Sequence, residues 1–131
     1  MTEQRTIPAP HIEEETRPFW DGIRDGKLLV KYCRSCEAPH YYPRSLCPHC
    51  GSEDTHFKES DGRAHIYSYS VFRAAPIPYA IAYVTLAGTD ICMMTNIVNC
   101  DFDALEIGQE VKVCFVETEG DGPPVPMFEP A

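Results

Sequence analysis

The hydrophobic and polar positions fall into three successive textures. Residues 1–10 hold Pro8 and Pro10 without any period and predict an extended arm. Residues 11–25 gather Ile12, Phe19, Trp20 and Ile23 near one face of a helix, while Glu13, Glu14 and Glu15 suit its positive N-terminal end. Pro18 leaves two options. One helix bends there, or a second helix starts with Thr16 as its cap and Pro18 in its first turn. Gly26 supplies a stop. Lys27 to Tyr32 alternates weakly and predicts a short strand. Residues 33–51 hold two cysteine pairs, and Glu53 to Ser60 is polar and reads as an outward link.

From Gly62 onward the pattern is strand-like. Residues 65–73 are β-prone, with Tyr67 and Tyr69 two apart. Pro76 and Pro78 interrupt them. Residues 79–87 and 91–98 predict two further strands around a Gly88-Thr-Asp90 turn. Asp101 to Gly108 is a polar connector with room for one helical turn. Residues 111–116 alternate strictly, with Val111, Val113 and Phe115 on one side, and Val125 to Glu129 predicts a closing strand. Five strands with a longer connector between the third and fourth match an OB-type Greek-key barrel. The expected organisation is mainly β: a helical arm over 1–26, a cysteine ribbon over 27–60 and a barrel over 61–131.

The cysteines carry the strongest chemical signal. Cys33, Cys36, Cys47 and Cys50 follow a Cys-x2-Cys-x10-Cys-x2-Cys spacing. Each close pair can turn two sulfurs toward one ion, and the ten intervening residues can form a hairpin that joins the pairs. Zinc then sits in a tetrahedron with sulfur about 2.3 Å away. Iron in a rubredoxin-like site uses the same ligands, and the sequence does not separate the two. A closed set leaves no position for substrate or water, so the ion's role would be structural. Gly51 suits the left-handed residue after the second pair; Glu37 occupies the matching place after the first. His49, between two cysteines, is expected to point outward. Cys92, Cys100 and Cys114 have no pair spacing and predict small buried hydrophobes.

Charge narrows the partners. The chain has 131 residues, 20 of them acidic and 11 basic, for a net charge of -9. Such a chain is repelled by phosphate backbones, so a protein or small molecule is the expected partner. Arg24, Lys27, Lys31 and Arg34 form the densest basic cluster and are candidates to contact the phosphates of coenzyme A; the plainer alternative is a solvated face. The odd number of cysteines, seven, together with the absence of a signal-peptide pattern, predicts reduced thiols and a cytosolic setting.

No catalytic motif is legible. There is no Gly-x-Ser-x-Gly, no phosphate loop and no His-Glu-x-x-His. Glu13, Glu14 and Glu15 read as a solvated face, Asp101 and Asp103 as local hydrogen-bonding residues, and His65 as a surface residue. Tyr67, Tyr69, Phe72 and Tyr83 could stack single-stranded nucleic acid on an OB face. With few bases nearby, core or protein interface is favoured.

The order of features resembles the domain-of-unknown-function thirty-five family. The matching stretches are Pro18-Phe-Trp-Asp-Gly-Ile23, Gly26-Lys-Leu28, Cys33-Arg-Ser-Cys36, Tyr42-Pro-Arg44, Cys47-Pro-His-Cys-Gly51, Gly62-Arg-Ala-His-Ile-Tyr-Ser-Tyr69, Thr95-Asn-Ile-Val98 and Gly108. The resemblance covers nearly the whole chain. It implies a rubredoxin-like zinc ribbon followed by an OB-fold, and an accessory subunit rather than an independent enzyme. The implied partners are thiolase-like enzymes, acyltransferases, steroid-side-chain aldolases of thiolase fold, or hotdog-fold hydratases of acyl-CoA metabolism. Phe19, Trp20 and Ile23 are then candidates for a partner interface, with packing on the chain's own ribbon as the alternative. Two departures stand out: Glu37, where glycine is common, and the shortened segment Arg73 to Tyr79.

Overall fold

The computed structural model describes residues 5–131, so the first four positions of the expected arm lie outside the described residues. A 3-10 turn, Glu14–Thr16, leads into α1, Arg17–Arg24. The break falls before Pro18, which sits in the first turn, where its missing N–H loses no intrahelical partner. Thr16 precedes α1 but does not cap it with its side chain. Its hydroxyl donates to Glu13 O and accepts from Glu13 N–H, each at 3.0 Å, and so closes the preceding turn. Gly26, at φ 76°, turns the chain away from the helix.

The ribbon is a three-stranded antiparallel sheet in the order β2-β1-β3. Its strands are β1 (Leu29–Cys33), β2 (Pro39–His40) and β3 (Thr55–Glu59). β3 corrects the expectation of an outward link over 53–60. Thr55 to Glu59 pairs residue by residue with β1, from Cys33↔Thr55 to Leu29↔Glu59. Its polar composition hid it because this edge strand is held by long-range pairing and by the aromatics it lends. Lys31 Nζ lies 4.5 Å from the Phe57 ring centre, and Lys58 Nζ 5.1 Å from that of Tyr32.

Five strands close the barrel: β4 (Arg63–Phe72), β5 (Tyr79–Leu86), β6 (Cys92–Ile97), β7 (Glu110–Val116) and β8 (Val125–Pro130). Their order is β4-β5-β6-β8-β7. β7 returns antiparallel to β4 from Arg63↔Lys112 to His65↔Glu110, and β8 meets β6 in parallel at Ile97↔Phe128. Closure removes the free edges a five-stranded sheet would expose. Gly62 sits at the seam. Its φ is 76°, its carbonyl accepts from Val113 N–H at 2.8 Å, and a Cβ there would lie 2.5 Å from Val113 Cγ1. The connector between β6 and β7 holds one 3-10 turn, Phe102–Ala104.

A β-bulge resets β4. Ile66 pairs with Val84, but Ser68 pairs with Tyr83, so Tyr67 is left without a cross-strand partner. Ala64 and Ile66 face the core, and after the extra residue Tyr69 packs against it, its hydroxyl donating to Leu105 O at 2.8 Å. Tyr67 is turned outward. Regular alternation would have put Tyr67 and Tyr69 on one face; the bulge puts them on opposite faces.

One buried cluster runs through both halves. Phe19, Trp20 and Ile23 of α1, with Leu28 and Val30, join Ile66, Val84, Leu86, Met93 and Phe128 of the barrel. No helix among the described residues is long and apolar enough to cross a membrane.

Candidate metal centre

The two cysteine pairs form two equivalent turns. In the first, Glu37 N–H donates to Cys33 O at 2.9 Å and Cys33 N–H to Ala38 O at 3.1 Å. In the second, Gly51 N–H donates to Cys47 O and Cys47 N–H to Ser52 O, both at 2.8 Å. The residue after each pair is left-handed, Glu37 at φ 60° and Gly51 at φ 80°. Glu37 thus accepts a conformation that costs a side-chain-bearing residue about 1–2 kcal/mol, because the turn that aims its sulfurs requires it.

The turns bring all four sulfurs within 4.8 Å of one another. Cys33 Sγ is 3.6 Å from Cys50 Sγ, and Cys36 Sγ is 3.7 Å from Cys47 Sγ. A disulfide needs about 2.05 Å. A tetrahedron of thiolates about 2.3 Å from zinc spaces its sulfurs about 3.8 Å apart, so the set fits a metal ion and not a pair of disulfides. Cys33 and Cys47 are buried while Cys36 and Cys50 reach the surface, the same position in each turn playing the same part. Backbone donors support the sulfurs: His49 N–H lies 3.4 Å from Cys47 Sγ.

Without a cation these thiols compete for charge. The Cys36 N–H and the neighbouring thiols bring Cys33 down to about 6. At Cys36 the Ala38 N–H works toward the thiolate, but burial and its three neighbours push it up to about 12. A dication resolves that competition by favouring all four thiolates at once. His49 stays outside the set: its Nε2 donates to Pro39 O at 3.3 Å. His40, on β2, is buried with neither ring nitrogen partnered, and burial lowers its pKa.

The other candidate residues are placed elsewhere. Phe19, Trp20 and Ile23 are 0%, 6% and 1% exposed. This corrects the partner-interface expectation in favour of packing on the chain itself. Phe19 meets the Trp20 ring at 4.9 Å and the Tyr41 ring at 5.8 Å, because one face of α1 must cover the ribbon loop. The basic residues point to separate places. Arg24 donates to Asp121 O at 3.0 Å, Lys31 to Thr55 Oγ1 at 3.1 Å, and Arg34 pairs with Asp54 at 3.0 Å; Lys27 is exposed in the turn after α1. To meet a phosphate, the first three would have to leave these partners.

Carboxylates weighed as catalytic candidates also hold the chain together. Glu15 accepts from Ser45 N–H at 2.8 Å and Ser45 Oγ at 3.0 Å, which lowers its pKa. Asp101 accepts from Asp103 N–H, and Asp103 pairs with Arg73. Cys92 corrects an expectation: it is exposed, because alternation along β6 puts it beside Met94 on the outer face. Cys100 and Cys114 are half-buried, and burial raises both thiols, Cys114 to about 12 with help from Glu129. Sequence reasoning missed Ile81 and Met94 on the outer face of β5 and β6. The available signal was charge: between Arg73 and Asp101 only Asp90 is charged.

A four-thiolate knuckle pair joined to a closed β4–β8 barrel defines a class, the zinc-ribbon OB-fold proteins. Comparison with known proteins agrees. Residues 20–56 match the family described as "ChsH2, rubredoxin-like zinc ribbon domain" and residues 57–116 match "ChsH2, C-terminal OB-fold domain". A "DUF35 domain-containing scaffold protein" of Methanothermobacter thermautotrophicus is 31% identical over 72% of this chain and 76% of its own length. The chain belongs to the DUF35 family.

A "Probable enoyl-CoA hydratase alpha subunit" of Thermomonospora curvata is 32% identical over 95% of this chain, which spans only 40% of that relative's length. Among solved structures, the "Ltp2-ChsH2(DUF35) aldolase" superposes with a TM-score of 0.78 at 29% identity, covering 92% of this chain and 98% of that one. A DUF35-family protein of unknown function from Sulfolobus solfataricus has a TM-score of 0.63 at 18% identity, over 76% of this chain and 77% of its own, and shares the fold.

Proposed function

We propose that this protein is a cytosolic, non-catalytic accessory subunit of acyl-CoA metabolism, binding and stabilising a thiolase-superfamily enzyme or an associated hydratase. The observation that carries this reading is the likeness, over nearly the full length of both chains, to the ChsH2(DUF35) component of an aldolase. The names scaffold protein and hydratase alpha subunit among its relatives support it too. Zinc is the ion assigned to Cys33, Cys36, Cys47 and Cys50. Four thiolates complete its coordination, so it cross-links the ribbon and offers no position for substrate.

The test is co-expression with a thiolase-superfamily enzyme of the same genome. The expected result is a complex of fixed stoichiometry whose enzyme loses activity or solubility when made alone. An enzyme fully active by itself that never co-purifies with this chain would overturn the proposal, as would turnover of acyl-CoA thioesters by the isolated chain.

A further inference from the structure

We infer that the outer face of β4, β5 and β6 is the surface on which the partner enzyme docks, and that it takes a folded protein presenting an uncharged apolar patch. This rests on the accessory reading above. Along β5, Tyr79, Ile81 and Tyr83 share the outer face. Tyr83 pairs directly with Met94 on β6 and with Ser68 on β4, next to the bulged Tyr67. Phe72 pairs with Tyr79, their rings 5.5 Å apart. The result is a continuous band across three strands.

The band is exposed where a soluble barrel would place polar groups. Tyr67 is 65% and Met94 61% exposed, and Phe72, Ile81 and Tyr83 are also exposed. At about 200 Å² for a large side chain, these five offer on the order of 500 Å² of apolar surface. A standard interface takes about 800 Å² from each partner, with an apolar, charge-depleted centre rich in Tyr, Phe and Met. This face has the size and composition of such a centre. The bulge contributes directly, since it gives up a cross-strand pair and turns Tyr67 onto the band.

Charge selects the occupant. OB barrels that bind single strands combine stacking aromatics with a basic groove. Here the aromatics lack the groove. β5 and β6 contain no Lys or Arg, Arg63 stands alone at the start of β4, and Arg73, just after β4, is paired with Asp103. Arg5 lies 3.8 Å from the Tyr79 ring centre and donates to Asn96 Oδ1. A second copy would bring two chains of charge -9 together. A different protein with an apolar patch meets neither obstacle.

The experiment uses the co-expressed complex with the thiolase-superfamily enzyme. Tyr83→Glu and Met94→Lys should each weaken the complex at least tenfold by titration, with zinc content and thermal midpoint unchanged. Leu46→Glu, an exposed apolar position on the ribbon, should bind as wild type. Hydrogen exchange on the wild-type complex should slow in β5 and β6. A wild-type chain that does not bind the enzyme removes the accessory reading and this surface together. Full affinity in both face variants, with wild type binding, removes the surface alone. Loss at Leu46→Glu with the face variants intact also overturns it. So does a wild-type homodimer that Tyr83→Glu converts to monomer, or oligothymidine binding at low salt that Tyr83→Glu abolishes.

Discussion

The ribbon has three strands, one of them two residues long, and its two turns converge on four sulfurs. The barrel has five strands of six to ten residues that pair in a closed ring around Ile66, Val84, Met93 and Phe128. The barrel therefore owes its shape to burial and to backbone pairing around the ring, which narrows to the single parallel pair Ile97↔Phe128 between β6 and β8. The ribbon has too little apolar interior for that, and its four converging sulfurs are placed so that a metal cross-link would supply what burial does not. Between them lies α1, whose Phe19 and Ile23 belong to the same buried cluster as the barrel core. The contrast teaches that the metal specifies a local shape, while the helix determines whether that shape is carried rigidly by the barrel.

The strongest way to break the comparison is Cys47→Ser or chelation. Structural zinc contributes about 10–16 kcal/mol in small peptides, so loss of one thiolate should release the metal and unfold the two turns. Hydrogen exchange should show Lys31 and Glu37 unprotected while Val84 and Met93 in the barrel keep their protection. Concerted loss everywhere would show that the barrel is not independent of the ribbon.

Phe19→Ala comes next. Removing a fully buried ring costs about 3–5 kcal/mol, and the shared cluster distributes that loss. Denaturant unfolding followed by ribbon and barrel probes should show both regions weakened. If the barrel midpoint does not move, α1 serves the ribbon alone.

The third test uses pH. Burial, then the charges of His49, Lys31 and Arg44, lower the His40 pKa. The folded chain therefore holds His40 neutral, and the unfolded chain binds a proton below its ordinary value of about 6.5. Stability from this group is complete above that pH and falls as the pH drops toward the lowered folded value. His40→Leu also removes two unpartnered buried nitrogens. Its thermal midpoint should exceed wild type by more at pH 5.5 than at pH 7.5. An equal difference at both values would show that acid acts through the thiolates alone.

The smallest effect is expected at Glu37→Gly. Relieving a left-handed Glu, less the added flexibility of glycine, should raise stability by up to about 1 kcal/mol, read as a higher thermal midpoint with unchanged zinc affinity. A loss would mean the Glu37 side chain contributes something its backbone strain conceals.

The metal site was legible because its information is local. The spacing of Cys33, Cys36, Cys47 and Cys50 and the glycine at Gly51 specify two tight turns whatever surrounds them. The five barrel strands were legible for a related reason, since alternation along Tyr79–Leu86 and Glu110–Val116 records which side each residue faces. β3 was not, because Thr55–Glu59 becomes a strand through pairing with β1, some two dozen residues away in sequence. Phe19, Trp20 and Ile23 showed an apolar face without showing what covers it.

The sequence by itself determined the metal ligands, the five strands of the barrel and the acidity, all of which follow from residue types at short spacing. Only the tertiary structure decided that the barrel closes, that α1 is buried within the chain, and that a bulge at Tyr67 turns one aromatic out while Tyr69 packs inward. Each of these depends on which distant backbone groups pair, and pairing is settled by the whole fold.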